Sequence, residues 1–113
     1  EIISVRALKH HNVIGCLTAI YDSKSLGKHP MPEIDMRHDY ALWLKLVGLA
    51  PKAIGIQAVL ADHKRRKMSL TANPWTVVWE TARMLRREAG FGWLQTAKTL
   101  VTMASTKLRE RWK

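Results

Sequence analysis

The stretch from Met31 to Lys45, MPEIDMRHDYALWLK, limits what this chain can fold into more than any other. A loop stiffened by Pro30 and Pro32 and carrying Glu33 and Asp35 runs straight into an apolar helical pattern. Tyr40, Trp43, Leu44 and Val47 recur at helical spacing, which predicts a helix from about Met36 to Val47 with Gly48 as its stop. Asp39 falls at the helix entrance, beside the face that must be buried. The N-terminal dipole favours an ionised carboxylate there, and apolar neighbours limit water. That setting suits a general base taking a proton from a hydroxyl. The competing reading is a carboxylate that only complements the dipole. Asp35, just before Met36, is the better capping candidate.

Upstream, residues 1 to 12 have mixed character and receive no firm assignment. His10 and His11 are adjacent, so they point to different sides of a helix or strand and make a poor metal pair; a solvated turn fits better. Val13 to Tyr21 is rich in branched and apolar residues between Asn12 and Asp22, which predicts a strand buried on both faces. Cys16 lies inside that run. As the single cysteine it forms no intramolecular disulfide, and a buried small side chain suits it better than a nucleophile without a base. Asp22 to Leu26 predicts one short helical turn closed by Gly27.

Downstream, Ala53 to Leu60 is a second strand candidate, followed by Asp62 and His63 and then four consecutive basic residues, Lys64 to Lys67. Such a run is commonly a solvated loop, but its place directly after a strand is where open α/β sheets put ligand-binding loops. Asn73-Pro74 is a strong helix start, an N-cap before proline at the first helical position. The helix should reach Glu88 and stop at Gly90, with Trp75, Val78, Trp79, Ala82 and Met84 or Leu85 as its apolar face. A last helix, from about Phe91 to Trp112, places Leu94, Ala97, Val101, Ala104, Leu108 and Trp112 on one stripe. Tryptophans and cations around such a stripe match a helix lying in a membrane headgroup region as well as one packing on protein.

The chain of 113 residues carries 19 Lys and Arg against 9 Asp and Glu, and the excess is concentrated after residue 61. That half would seek anions: a nucleotide diphosphate, an anionic membrane surface or nucleic acid. No apolar run approaches the ~20 residues that a spanning helix needs. The chain starts at Glu1 without an initiator methionine, and a piece of a longer protein is expected.

Taken together, Asn12 to Asp22, Gly27, Asp39-Tyr40 with Leu42-Trp43-Leu44, and Val59 to Ser69 resemble the second half of a family 2 glycosyltransferase of the teichuronic-acid type, over roughly residues 11 to 73. The resemblance implies an α/β fold, namely the C-terminal part of a GT-A nucleotide-sugar transferase with about two strands and then helices, ending in two amphipathic helices. Residues 1–73 would belong to the catalytic domain and residues 74–113 form the basic amphipathic helices. It implies Asp39 as the base, with His38 and Trp43 on the acceptor side. Trp43 at this spacing equally suits core packing. His38 departs from the Glu or Gln usual at its position. Lys64 and Arg66 would approach the donor diphosphate, although His63-Lys64 replaces a Tyr-Arg pair and forgoes the forked guanidinium contact. His63 is at most a weak metal ligand.

The implied enzyme inverts the anomeric centre while moving a sugar from a nucleotide-sugar donor to a hydroxyl of a cell-surface or lipid-linked glycan. It would use a divalent cation, Mg or Mn, bound mainly outside this chain, which has no Asp-x-Asp. The implied location is cytoplasmic, peripheral to the inner face of the cell membrane, and these residues alone are expected to be inactive. A different class, a small basic helical module that binds membrane or nucleic acid without catalysis, fits the charge but shows no nucleic-acid motif.

Overall fold

The computed structural model describes residues 1–50, 52–64 and 73–112. Among them the chain is mostly helical, with one two-stranded antiparallel ladder. The elements are β1 (Ile2–Ile3), α1 (Val5–His10), α2 (Ser23–Leu26), α3 (His38–Leu49), β2 (Ala53–Ile54), α4 (Pro74–Arg87) and α5 (Trp93–Arg111). Ile2 pairs with Ile54 and Ile3 with Ala53. The ladder is prolonged by the Gly55 N–H donating to the Glu1 carbonyl at 2.7 Å.

The core lies around α3, whose Tyr40, Ala41, Leu42, Trp43, Leu44, Leu46 and Val47 are all buried. A helix apolar on so much of its circumference must be covered from several sides. Leu8 of α1 and Met84 and Leu85 of α4 supply that cover. One buried polar bond fixes α3 on α1: the Tyr40 hydroxyl donates to the Leu8 carbonyl at 2.6 Å. Burial pushes the Tyr40 phenol up to about 12, with the nearby Arg37 guanidinium opposing the rise.

Several predicted elements stand. Asp22 caps α2, its carboxylate accepting from the Lys24 N–H at 2.9 Å and the Ser25 hydroxyl at 2.6 Å. Those bonds, the Ser25 contact first, hold its pKa below the usual carboxylate range. Gly27 closes α2 at φ 81°, a backbone conformation that a side chain would resist. Asn73 caps α4 through the Trp75 N–H at 3.0 Å, with Pro74 at the first helical position, and Gly90 follows at φ 68°.

Others are corrected. Val13 to Tyr21 is no strand: Asn12 turns the chain by accepting the Ile14 N–H at 3.2 Å, and Cys16–Thr18 forms a 3-10 turn. A doubly buried strand needs neighbours to complete its ladder and cover its faces. Among the described residues none lies beside this segment, and Leu17 and Ile20 stand 65% and 97% exposed. Cys16, expected inside, is exposed. The second strand shrinks from Ala53–Leu60 to Ala53–Ile54, since β1 offers only two residues to pair with. Residues 1 to 12 form β1 and α1, the latter capped by Ser4, whose hydroxyl accepts the Ala7 N–H at 3.1 Å. Gly48 does not stop α3, which continues to Leu49.

The last helix keeps its predicted span but turns its other side inward. Thr96 and Thr99 are its buried residues, whereas Leu94, Val101, Leu108 and Trp112 are exposed. Hydroxyls make that inward face tolerable. Thr99 donates to the Lys9 carbonyl at 2.6 Å and Thr96 to the Gly92 carbonyl at 2.9 Å. On α4 the predicted face divides: Met84 and Leu85 are buried as expected, together with Thr81, whereas Trp75, Val78 and Trp79 are exposed.

Candidate functional site

The entrance of α3 is built around a left-handed residue. Arg37 precedes the helix at φ 62°, ψ 19° and offers no side-chain cap, so Asp35 is not the capping residue that the sequence predicts. A non-glycine residue in this region costs of order 1 kcal/mol and persists where its surroundings hold it. Here the Arg37 guanidinium donates from Nε to the Thr81 hydroxyl of α4 at 3.1 Å. Thr81 in turn donates to the Val77 carbonyl at 2.6 Å. This chain of bonds anchors the start of α3 to α4.

Asp39 follows two residues later as the acidic side chain of the first turn, partly buried. Its position complements the unpaired N–H groups there, as the sequence predicts. His38, also partly buried, is the first residue of α3. The two therefore sit together at the helix mouth. Trp43 lies one turn beyond Asp39 on the same side of α3. It is only 6% exposed, so it is a core side chain rather than an open ring face. Its indole Nε1 is buried and finds no partner among the described residues.

The acidic residues before the helix look the other way. Glu33 and Asp35 line a cleft of about 260 Å³ whose far wall is Glu80, Arg83, Arg87 and Glu88 of α4 and its end. A second cleft, of about 530 Å³, lies between Val5 and Lys9 of α1, Pro30 to Pro32, and Ala41, Leu42 and Lys45 of α3. Asp39 lines neither cleft.

The remaining candidates are not gathered at this mouth. His63 and Lys64 are exposed loop residues that line neither cleft. Arg66 and the rest of the basic run lie outside the described residues. Among the described residues no three or more His, Cys, Asp or Glu side chains come together to hold a metal ion. Among the described residues there is thus no ligand set that fits a divalent cation, and no step is routed through one.

Sequence reasoning missed Arg37. Its left-handed backbone and its partner 44 positions away leave no local trace, since neither periodicity nor a cap motif distinguishes it from any surface arginine. The one available signal was negative, namely that no Ser, Thr, Asp or Asn stands immediately before His38.

With this geometry in place, comparison with known proteins gives an informative match. Over 105 residues the chain is 30% identical to TuaG of Bacillus subtilis (strain 168), named as a teichuronic acid biosynthesis glycosyltransferase. The aligned region takes in 93% of this chain and 41% of that protein, so the chain spans about two fifths of its relative's length. No protein-family model matches the chain. No solved structure matches it either. The small, mostly helical α/β unit is thus similar to part of a glycosyltransferase.

Proposed function

We propose that the chain is the acceptor-side part of an inverting family 2 glycosyltransferase with the GT-A fold. The observation that carries the reading is the 30% identity to a glycosyltransferase over nearly the whole chain. The half-buried Asp39 at the mouth of α3 supports it, because that is where the reading needs a base. Asp39 takes the proton from the acceptor hydroxyl as its oxygen bonds to the anomeric carbon. The bond from that carbon to the donor phosphate breaks on the opposite face, and the nucleoside diphosphate departs. His38 borders the acceptor, and the Arg37–Thr81 bond fixes the angle at which α3 presents both residues.

The donor half, including the divalent cation expected there, is assigned to residues outside this chain. Lys64, on the loop after β2, is assigned to the diphosphate as a point charge, and Arg66 is assigned to it by its guanidinium chemistry alone. Trp43 contributes through the core beneath the base. The acceptor is a hydroxyl of a cell-surface or lipid-linked glycan, and the site faces the cytoplasm.

The test is transfer by the full-length protein from nucleotide-sugar donors, with and without Mg or Mn, against Asp39→Asn. Loss of about 10²- to 10⁴-fold in turnover is expected, with unchanged circular dichroism and donor affinity. An Asp39→Asn variant as active as its parent sinks the base assignment. Salt-sensitive binding to random DNA with no donor binding would place the chain among basic modules instead.

A further inference from the structure

The α4–α5 hairpin carries an apolar surface that the fold leaves uncovered. On α4 the exposed side holds Trp75 and Trp79, at 81% and 68%. On α5 it begins with Trp93 at 73% and continues through Leu94 and Val101 to Trp112 at 87%. The two sides meet: the Arg86 guanidinium of α4 stacks over the Trp93 ring of α5, 3.6 Å from its centroid. They therefore form one surface at that end of the hairpin.

Charge decides what suits this surface. At 100° per residue the α5 stripe is centred opposite Thr96 and Thr99, with Lys98 and Arg109 along one edge. Glu110 is the one acidic residue on α5, and Glu80 the one on α4. Glu80 is engaged by Arg83 at 3.9 Å. The centre of a protein–protein interface excludes charge, and like-charged rims on two copies of this chain would repel. Tryptophans with an apolar body and one N–H, edged by cations, match a headgroup layer over an anionic leaflet. Among the described residues no helix is long and apolar enough to cross a membrane. Helix α5, about 28 Å long, is suited to lie along the surface.

We propose that the outward face of the α4–α5 hairpin seats on an anionic lipid surface, with Trp93, Val101 and Trp112 in the headgroup layer and Lys98 and Arg109 against lipid phosphates. This goes beyond the transferase reading and does not rest on it.

The experiment is co-sedimentation of the full-length protein with vesicles of phosphatidylcholine alone or mixed with phosphatidylglycerol, at about 0.1 M salt, where screening reaches ~10 Å. Binding to the anionic vesicles only is expected, weakening about fivefold with each of Lys98→Gln and Arg109→Gln. Trp93→Ser with Trp112→Ser should reduce it by at least tenfold. These side chains are largely exposed, and circular dichroism checks that the variants remain folded. Failure to bind anionic vesicles overturns the proposal, as does equal binding to neutral ones. A dimer dissolved by Val101→Glu, in protein that ignores vesicles, assigns the face to a second copy. Sugar transfer plays no part in the readout, so loss of the transferase reading leaves this result standing.

Discussion

Helix α3 and helix α5 are both apolar along a helical repeat, yet they bury opposite kinds of surface. In α3 the repeat wraps most of the circumference, and neighbours on several sides cover it. In α5 the repeat marks a single stripe, and the fold packs the helix through the threonines behind it. A hydrophobic stripe therefore states that a face prefers to leave water. It does not state that this chain supplies the cover. Threonine reverses the outcome because its hydroxyl satisfies a carbonyl inside the contact while its methyl fills space, as the Thr99 bond to Lys9 does.

The sharpest way to break the contrast is to hollow out α3. Trp43→Ala should cost about 3–5 kcal/mol in denaturant unfolding, because a large, nearly buried ring leaves a cavity that α1 and α4 cannot fill. A loss below about 1 kcal/mol would mean that the α3 environment is as open as the α5 stripe. Tyr40→Phe comes next. It removes the 2.6 Å donor to the Leu8 carbonyl and leaves that oxygen buried and unpaired, a cost of about 1–3 kcal/mol.

The same tyrosine gives a pH signature. Its phenol titrates at about 12 in the fold, above the ordinary 10.0 of a tyrosine in water, so the protonated form is bound more tightly in the native state. The stabilisation is complete below the unfolded pKa and fades as pH rises through the folded one. Ultraviolet titration should show a late-ionising tyrosine step, and Tyr40→Phe should lose it. If Tyr40 titrates near an ordinary value of about 10, its phenol is not desolvated in the core.

Much of this fold was legible where the sequence signal is local. Asn73-Pro74, Asp22 and Gly27 set helix ends through contacts spanning a few residues, and these ends stand as read. Asp39 was legible for the same reason, since a carboxylate in the first turn of an apolar helix needs only the helix to exist. The strand expected at Val13–Tyr21 failed because strand formation depends on neighbours elsewhere in the chain or beyond it. Arg37 was illegible because its conformation is held from α4, through Thr81. The inward side of α5 was illegible because apolar content and burial part company where hydroxyls are fully bonded.

Smaller effects sharpen the comparison on α5 itself. Thr99→Val keeps the volume but leaves the Lys9 carbonyl without its 2.6 Å donor, and should cost about 1 kcal/mol or somewhat more. Val101→Ser, two residues on but 69% exposed, should change the unfolding free energy by no more than about 0.5 kcal/mol in either direction. The expected order thus inverts the usual ranking, with the polar residue supporting the fold and the apolar one nearly indifferent to it. Should Val101→Ser cost as much as Thr99→Val, the stripe is packed against protein in solution. An indifferent Val101 in the free protein that gains protection from hydrogen exchange around it on anionic vesicles would show that its cover comes from outside the chain.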